Sequence, residues 1–296
     1  MQPLLEVFGH PVDDGSDSAV QCRKHRLCPF GNSVPNCTKD KADDPLGVCS
    51  IRARDGDAII CPVRFRQDWL IARQAAEFFF PEGSAWTGLT EVRLRDAAGM
   101  RAGNIDLLLV SYDGSGRVVD FGALEIQSVY ISGNIRRVFE FYMGNQALGG
   151  AFDWSHELHY PRPDYLSSTK RLAPQLMFKG GILNAWGKKL AVALDAGFVD
   201  SLPSLRPVDP SVSDLVWLVY KLVAEDQRPG LALQLVDRVY TSFETCLDEI
   251  TRPKPGSVED FLAVIQERLA SVTPGGDLAN RVVERFEDSD ETEDTE

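Results

Sequence analysis

The stretch "GNIDLLLVSYDGSGRVVDFGALEIQ", residues 103–127, limits the fold more than any other part of the chain. Two apolar runs flank "DGSG", a combination that predicts a β-hairpin with strands over roughly 104–112 and 117–131. Each strand nevertheless carries a carboxylate. Asp106 precedes Leu107, Leu108, Leu109 and Val110, and Glu125 sits between Leu124 and Ile126. A partly buried charge of this kind needs a partner, and a metal ion is one.

A turn near 113–117 makes Asp106 and Glu125 cross-strand neighbours to within one residue of register. A bulge or a one-residue slip then brings both to one face. The period of two puts Glu125 and Gln127 together, with Leu124, Ile126 and Ser128 pointing the other way. Two carboxylates and an amide suit a hard divalent cation such as magnesium, which takes one or two carboxylates together with water and phosphate oxygens. Pairing of the carboxylates with arginines such as Arg93 or Arg95 accounts for the same residues equally well.

Around the hairpin the pattern is mixed. Helical spacing runs from Asp68 to Phe80, with the aspartate suited to the first turn, and a short strand is expected near 90–95. "IRRVFEFYMGNQAL" and "SSTKRLAPQLMFKGGILNAWGKK" predict helices, the second interrupted at Pro174 and at Gly180-Gly181. "LAVALDAGF", "DLVWLVYKLVA" and "LALQLVDRVYTSF" are apolar runs of strand length, and "SVEDFLAVIQERLAS" predicts a closing helix capped by Ser257. This order indicates an α/β fold, a mixed sheet flanked by helices. The first 63 residues differ, being rich in cysteine, proline and turn residues with little periodicity. They predict an irregular module held by something other than an apolar core.

That module contains Cys28, Cys37, Cys49 and Cys61, separated by 8, 11 and 11 residues. Cysteines in a reducing compartment are more often ligands or buried thiols than disulfides. A tetrahedral sulfur-bound metal supplies stability where a core is lacking, and zinc and iron fit alike. No CxxC knuckle is present, so independent buried thiols also fit, and Cys22 could replace any of the four.

The formal net charge of −13 argues at first against a polyanionic partner, yet the terminal "FEDSDETEDTE" carries seven acids and no base. A disordered acidic tail over 274–296 is expected. Elsewhere basic clusters occur: "CRKHR" at 22–26, "RFR" at 64–66, Arg136-Arg137, "TKR" at 169–171 and Lys188-Lys189. The opening "MQPLLEVFGHPVDDG" has no basic n-region, and no stretch reaches the roughly 18 uninterrupted apolar residues of a membrane span. A cytoplasmic protein is expected.

An aspartate followed on the next strand by Glu-x-(Lys/Gln) is the pattern of the PD-(D/E)xK nuclease core. Together with "FGH" at 8–10, "CPF" at 28–30, Cys37, "GVCS" at 47–50 and "ICP" at 60–62, the chain resembles the NotI-type restriction endonucleases. The resemblance spans residues 8 to about 130 and continues loosely through 165–186. It implies a structural iron on Cys28, Cys37, Cys49 and Cys61, with Cys22 outside the motif. It also implies a glutamate fifteen positions before the aspartate, which Glu91 supplies, and a Glu-x-Gln ending, which Glu125 and Gln127 supply. The "GNID" segment lacks the proline of the superfamily name.

The domains so expected are a four-cysteine metal-binding module over 1–66 and an endonuclease core over 67–273, ahead of the tail. The implied activity is type II restriction: magnesium-dependent, site-specific cleavage of double-stranded DNA giving 5′-phosphate ends. Asp106, Glu125 and Glu91 would hold magnesium, and Gln127 would orient water or a phosphate oxygen. A homodimer on a palindromic site is expected, with Arg136, Arg137, Lys170 and Arg171 as phosphate contacts. A nuclease without strict specificity, or an inert metal-stabilised DNA-binding protein, are the other readings.

Overall fold

The computed structural model describes residues 2–53, 56–146, 154, 160–224, 230–252 and 254–271. The acidic tail expected over 274–296 lies outside the described residues. The chain divides into two units, the first running to Thr251 and the second from Arg252 on.

The N-terminal region is less irregular than its sequence predicts. β1 (Leu4–Val7), β2 (His10–Pro11), β3 (Val48–Ile51) and β4 (Ala58–Ile59) form a four-stranded antiparallel sheet in the order β2-β1-β3-β4, and α1 (Asp17–His25) follows β2. All four residues of β1 and of β3 are buried. Strands covered on both faces show no alternation, which is why the period of two is absent here.

Behind this sheet Arg64 is fully buried and donates to both carboxylate oxygens of Glu6, to Gln67 and to the carbonyl of Leu231. Ser50 donates to the same carboxylate. Changing Arg64 to Met should therefore cost roughly 3–5 kcal/mol in urea unfolding, because it strands a buried Glu6 charge. The double change with Glu6→Leu should recover much of that loss.

Pro62–Trp69 forms a 3₁₀ stretch leading to α2 (Leu70–Phe79). Asp68, expected in the first turn, lies ahead of the helix. Asp68 and Trp69 lie at φ 51° and 52°, a left-handed corner that redirects the chain, and Arg73 donates to the Asp68 carbonyl there.

β5 (Trp86–Arg95), β6 (Arg101–Tyr112) and β7 (Val118–Gln127) follow as an antiparallel meander. The hairpin turn closes where expected, with Asp113 Oδ1 accepting from the amides of Ser115 and Arg117. β7 stops at Gln127, short of the expected 131, and β8 (Tyr130–Ser132) begins a separate two-stranded sheet. After α3 (Ile135–Gly144), β9 (Arg162–Asp164) pairs with β8.

α4 (Tyr165–Gln175), a π turn over Leu176–Gly180 and α5 (Gly181–Ala185) are contiguous. The interruption expected at Pro174 is met by widening: the proline removes one amide donor, and the helix opens into the π turn just after it. β10 (Leu190–Asp195) and α6 (Ala196–Ser201) share "LAVALDAGF", with the Asp195 side chain capping the helix through Gly197 N. β11 (Leu215–Ala224), β12 (Leu231–Thr241) and α7 (Phe243–Thr251) complete the first unit.

The six-stranded sheet has the order β12-β11-β10-β7-β6-β5, with β10 parallel to both its neighbours and the other pairs antiparallel. On one face α2 packs Ile71, Ala75 and Phe79 against Leu107, Leu109, Leu124 and Ala193. Gly122 permits that approach, since a Cβ there would meet the Phe79 ring at 2.4 Å. On the other face Leu172, Leu176 and Leu183 pack with Val192, Leu194 and Trp217. Each such side chain contributes about 1.5–3 kcal/mol on burial.

The N-terminal sheet docks at the ends of β7 and β10: Val129 N donates to the Ile59 carbonyl, and Ile59 N to Asp195. The second unit contains α8 (Val258–Ser271), whose N-terminus Ser257 caps as expected through Asp260 N at 3.2 Å. Among the described residues no helix is long and apolar enough to cross a membrane.

Candidate functional site

The β6–β7 ladder pairs Leu107 with Leu124, and its register carried one step further sets Asp106 opposite Glu125. At that point the backbone ladder ends. Asp106 Oδ2 instead accepts from Ile126 N at 2.8 Å, so a side chain takes the place of a backbone acceptor. No slip is needed, because residues directly opposite share a face. That face is the one covered by α4 and the π turn.

Glu125 is only 2% exposed. Lys179, from the π turn, donates to its Oε2, while its Oε1 is buried with no hydrogen-bond partner among the described residues. Burial, and then the neighbouring Asp106 within hydrogen-bonding reach, push the Glu125 carboxyl up to about 8 against the opposing pull of Lys179. Gln127 is also buried, and its amide donates to the Ser128 carbonyl at 3.0 Å. Asp106 and Gln127 open on a cavity of about 400 Å³ that is also lined by Lys39, Tyr130, Arg171 and Gln175.

On the other side of β6, the β5–β6 register sets Glu91 opposite Asp106. Glu91 lies on β5 where pairing passes from Thr90 directly to Val92, at φ 55°, exposed, with a long 3.4 Å contact from Asn104 Nδ2. A non-glycine residue in left-handed backbone inside a strand stores local strain.

The four cysteines come together. Cys28, Cys37, Cys49 and Cys61 line one largely apolar cavity of about 310 Å³, and all four are free thiols. The backbone holds them in two pairs. Cys28 N donates to the Pro35 carbonyl and Cys37 N to Arg26 across a short bridge, while Cys61 N donates to the Cys49 carbonyl. Burial raises Cys28 to about 11 and also raises Cys37 and Cys49. Among the described residues, no group of three or more His, Cys, Asp or Glu side chains meets the geometry of a metal site. Cys22 on α1 and Cys246 on α7 are buried and do not line this cavity.

The basic residues singled out from sequence are variously engaged. Arg136 pairs with Asp40 and Asp44, tying α3 to the loop between Cys37 and Cys49. Arg137 lies over the Trp154 ring and Arg171 over the Tyr130 ring, while Lys170 is near Asp164.

Two lysines escaped the sequence reading. Lys179 falls 54 positions from Glu125 in "MFKGG", which carries no periodic signal. Lys39 lines both cavities, its Nζ donating to the carbonyls of Val48 and Ile60 at 2.9 and 2.8 Å.

Comparison with known families puts the chain among type II site-specific deoxyribonucleases, hydrolases whose substrate is DNA. The match is to the family described as restriction endonuclease NotI. It covers residues 6–235, more than three-quarters of the 296, and the chain belongs to that family. No curated protein matches the chain. The matched span contains all four cavity cysteines, Glu91, Asp106, Glu125, Gln127 and Lys179.

Proposed function

We propose that the chain cleaves double-stranded DNA at a specific sequence with magnesium, through a PD-(D/E)xK core over residues 67–273 stabilised by a four-cysteine metal module over 1–66. The observation that carries the reading is the meeting of Asp106 and Glu125 where the β6–β7 ladder ends, with Glu125 Oε1 buried and unpartnered. A buried carboxylate oxygen without a donor, beside a second carboxylate, calls for positive charge between them: a proton in the free protein, a cation when one is bound.

In this reading Asp106 and Glu125 hold magnesium, and Glu91 joins them from β5. When bound, the ion stabilises charge on the phosphate and acidifies water. Asp106, at the cavity wall, sets where the phosphate sits. Gln127 cannot act as a base or carry charge, but its amide can orient water or a phosphate oxygen. Water would add to phosphorus in line as the P–O3′ bond breaks, the 3′ oxygen taking up a proton, giving 5′-phosphate ends and a 3′ hydroxyl. Arg171, lining the same cavity, is the nearest of the proposed phosphate contacts, with Arg137, Lys170 and Arg136 further out on α3 and α4.

The second metal is held by Cys28, Cys37, Cys49 and Cys61. Four sulfur donors around one apolar cavity suit iron or zinc and not magnesium. Lys39 lines the same cavity; burial pulls its amine down, and thiolates bound there would pull it back up, so that its ammonium would offset their charge. Site-specific cutting of both strands at a palindrome needs two copies related by a two-fold axis, so the active form is a homodimer.

Incubation of the full chain with magnesium and a long sequenced duplex tests the reading. Discrete fragments carrying 5′-phosphates are expected. A smear would indicate a nuclease without sequence specificity, and intact DNA would leave an inert DNA-binding protein.

A further inference from the structure

Lys179 does more than fill space. Its stem runs along Gly103, which lies at φ +127° and whose absent Cβ would meet Lys179 Cδ at 3.3 Å and Cγ at 3.5 Å. The side chain is 7% exposed, and its Nζ donates to the Asn104 carbonyl at 2.8 Å and to Glu125 Oε2. Asn104 is on β6 and Glu125 on β7, two residues before Gln127. The ammonium is therefore held two residues along the strand from the position where the superfamily pattern has lysine and this chain has a neutral amide.

The two oxygens of Glu125 are thereby given different tasks. Oε2 is taken by Lys179, and Oε1 is left without a partner. The lysine is mounted on the π turn, an irregularity that displaces side chains from the regular helical positions and recurs at functional sites.

We propose that Lys179 is a positioning residue for the cleavage reaction: it anchors Glu125 through Oε2, so that Oε1 faces the ion, and supplies from the helix the positive charge that Gln127 does not supply from the strand. The proposal rests on the reading of Asp106 and Glu125 as the ion-holding pair. Residues that orient a metal ligand typically control metal affinity or activity by about 10–100-fold.

The test compares K179M and K179Q with the unaltered full-length protein. Binding of Mn²⁺ without DNA is followed by calorimetric titration, kcat and KM by DNA cleavage, and folding by circular dichroism and Tm. K179Q keeps a donor for the Asn104 carbonyl, so it decides the matter should K179M not fold. The expected result is Mn²⁺ binding weakened about 10–100-fold with kcat lowered to a similar extent and KM for DNA within about twofold. A lysine that is only half of a buried ion pair would lower Tm yet leave Mn²⁺ affinity and kcat of the folded protein unchanged, and that result overturns the proposal. D106A separates the two levels. If D106A binds Mn²⁺ normally, the reading of the ion-holding pair fails. If D106A loses Mn²⁺ while K179Q keeps it, the role of Lys179 alone fails.

Discussion

Changing Asp106 or Glu125 to Ala should reduce DNA cleavage by roughly 10³-fold or more, equivalent to about 4 kcal/mol of transition-state stabilisation, while the protein stays folded. Both residues stand where the ladder ends, so their loss leaves the sheet paired from Leu107 and Leu124 inward. Asp106→Ala also removes the acceptor for Ile126 N, a loss of about 1 kcal/mol. Asp106→Asn keeps that acceptor, and Glu125→Gln keeps an acceptor for Lys179, so these variants isolate the lost charge. Cleavage assays with matched Tm values decide the matter, and near-normal cutting by D106N or E125Q would remove the pair from the mechanism.

The second large effect belongs to the cysteines. Serine at 28, 37, 49 or 61 should give protein with markedly less bound metal and stability lower by several kcal/mol, since sulfur ligation contributes folding free energy directly and a serine hydroxyl does not ionise to replace it. Elemental analysis of the unaltered protein should find one iron or zinc per chain in addition to any magnesium. C22S is the control. Cys22 packs in the core on α1 away from the cavity, so its replacement should leave metal content unchanged. A soluble, metal-free and fully active C49S or C61S protein would refute a structural metal.

The two effects have different origins, although Lys39 reaches both cavities. Cysteine variants should lose Tm first and activity as a consequence. Asp106→Asn and Glu125→Gln, which keep the acceptors for Ile126 N and Lys179, should lose activity with little change in Tm. Together the measurements would separate a metal that holds the fold from one that acts on DNA.

What the sequence made legible follows its local rules. "DGSG" closes a hairpin because Asp113 caps its own turn and Gly116 tolerates φ 80°, and that turn alone set Asp106 near Glu125. The strand period put Glu125 and Gln127 together, and both are buried at the end of β7. Four of the six cysteines were grouped correctly in space by their place in the chain.

Other features rest on partners distant in sequence. β1 and β3 are buried on both sides and lack alternation, so their sheet was invisible. Asp68 suited a first helical turn but lies in a left-handed corner two residues ahead of α2. Lys179 meets Glu125 only because the helix widens after Pro174, which sequence showed as an interruption and not as a reach toward the sheet. The pairing of Arg136 with Asp40 and Asp44 spans 96 and 92 positions, which no local pattern shows.

Anomalous diffraction from crystals of the full chain grown with Mn²⁺ tests the central claim most directly. The account predicts a manganese peak between the Asp106 carboxylate and Glu125 Oε1, with Lys179 still on Oε2, and a separate sulfur-bound metal among Cys28, Cys37, Cys49 and Cys61. A protein that cleaves DNA with manganese yet binds it elsewhere, leaving Asp106 and Glu125 without an ion, would contradict it.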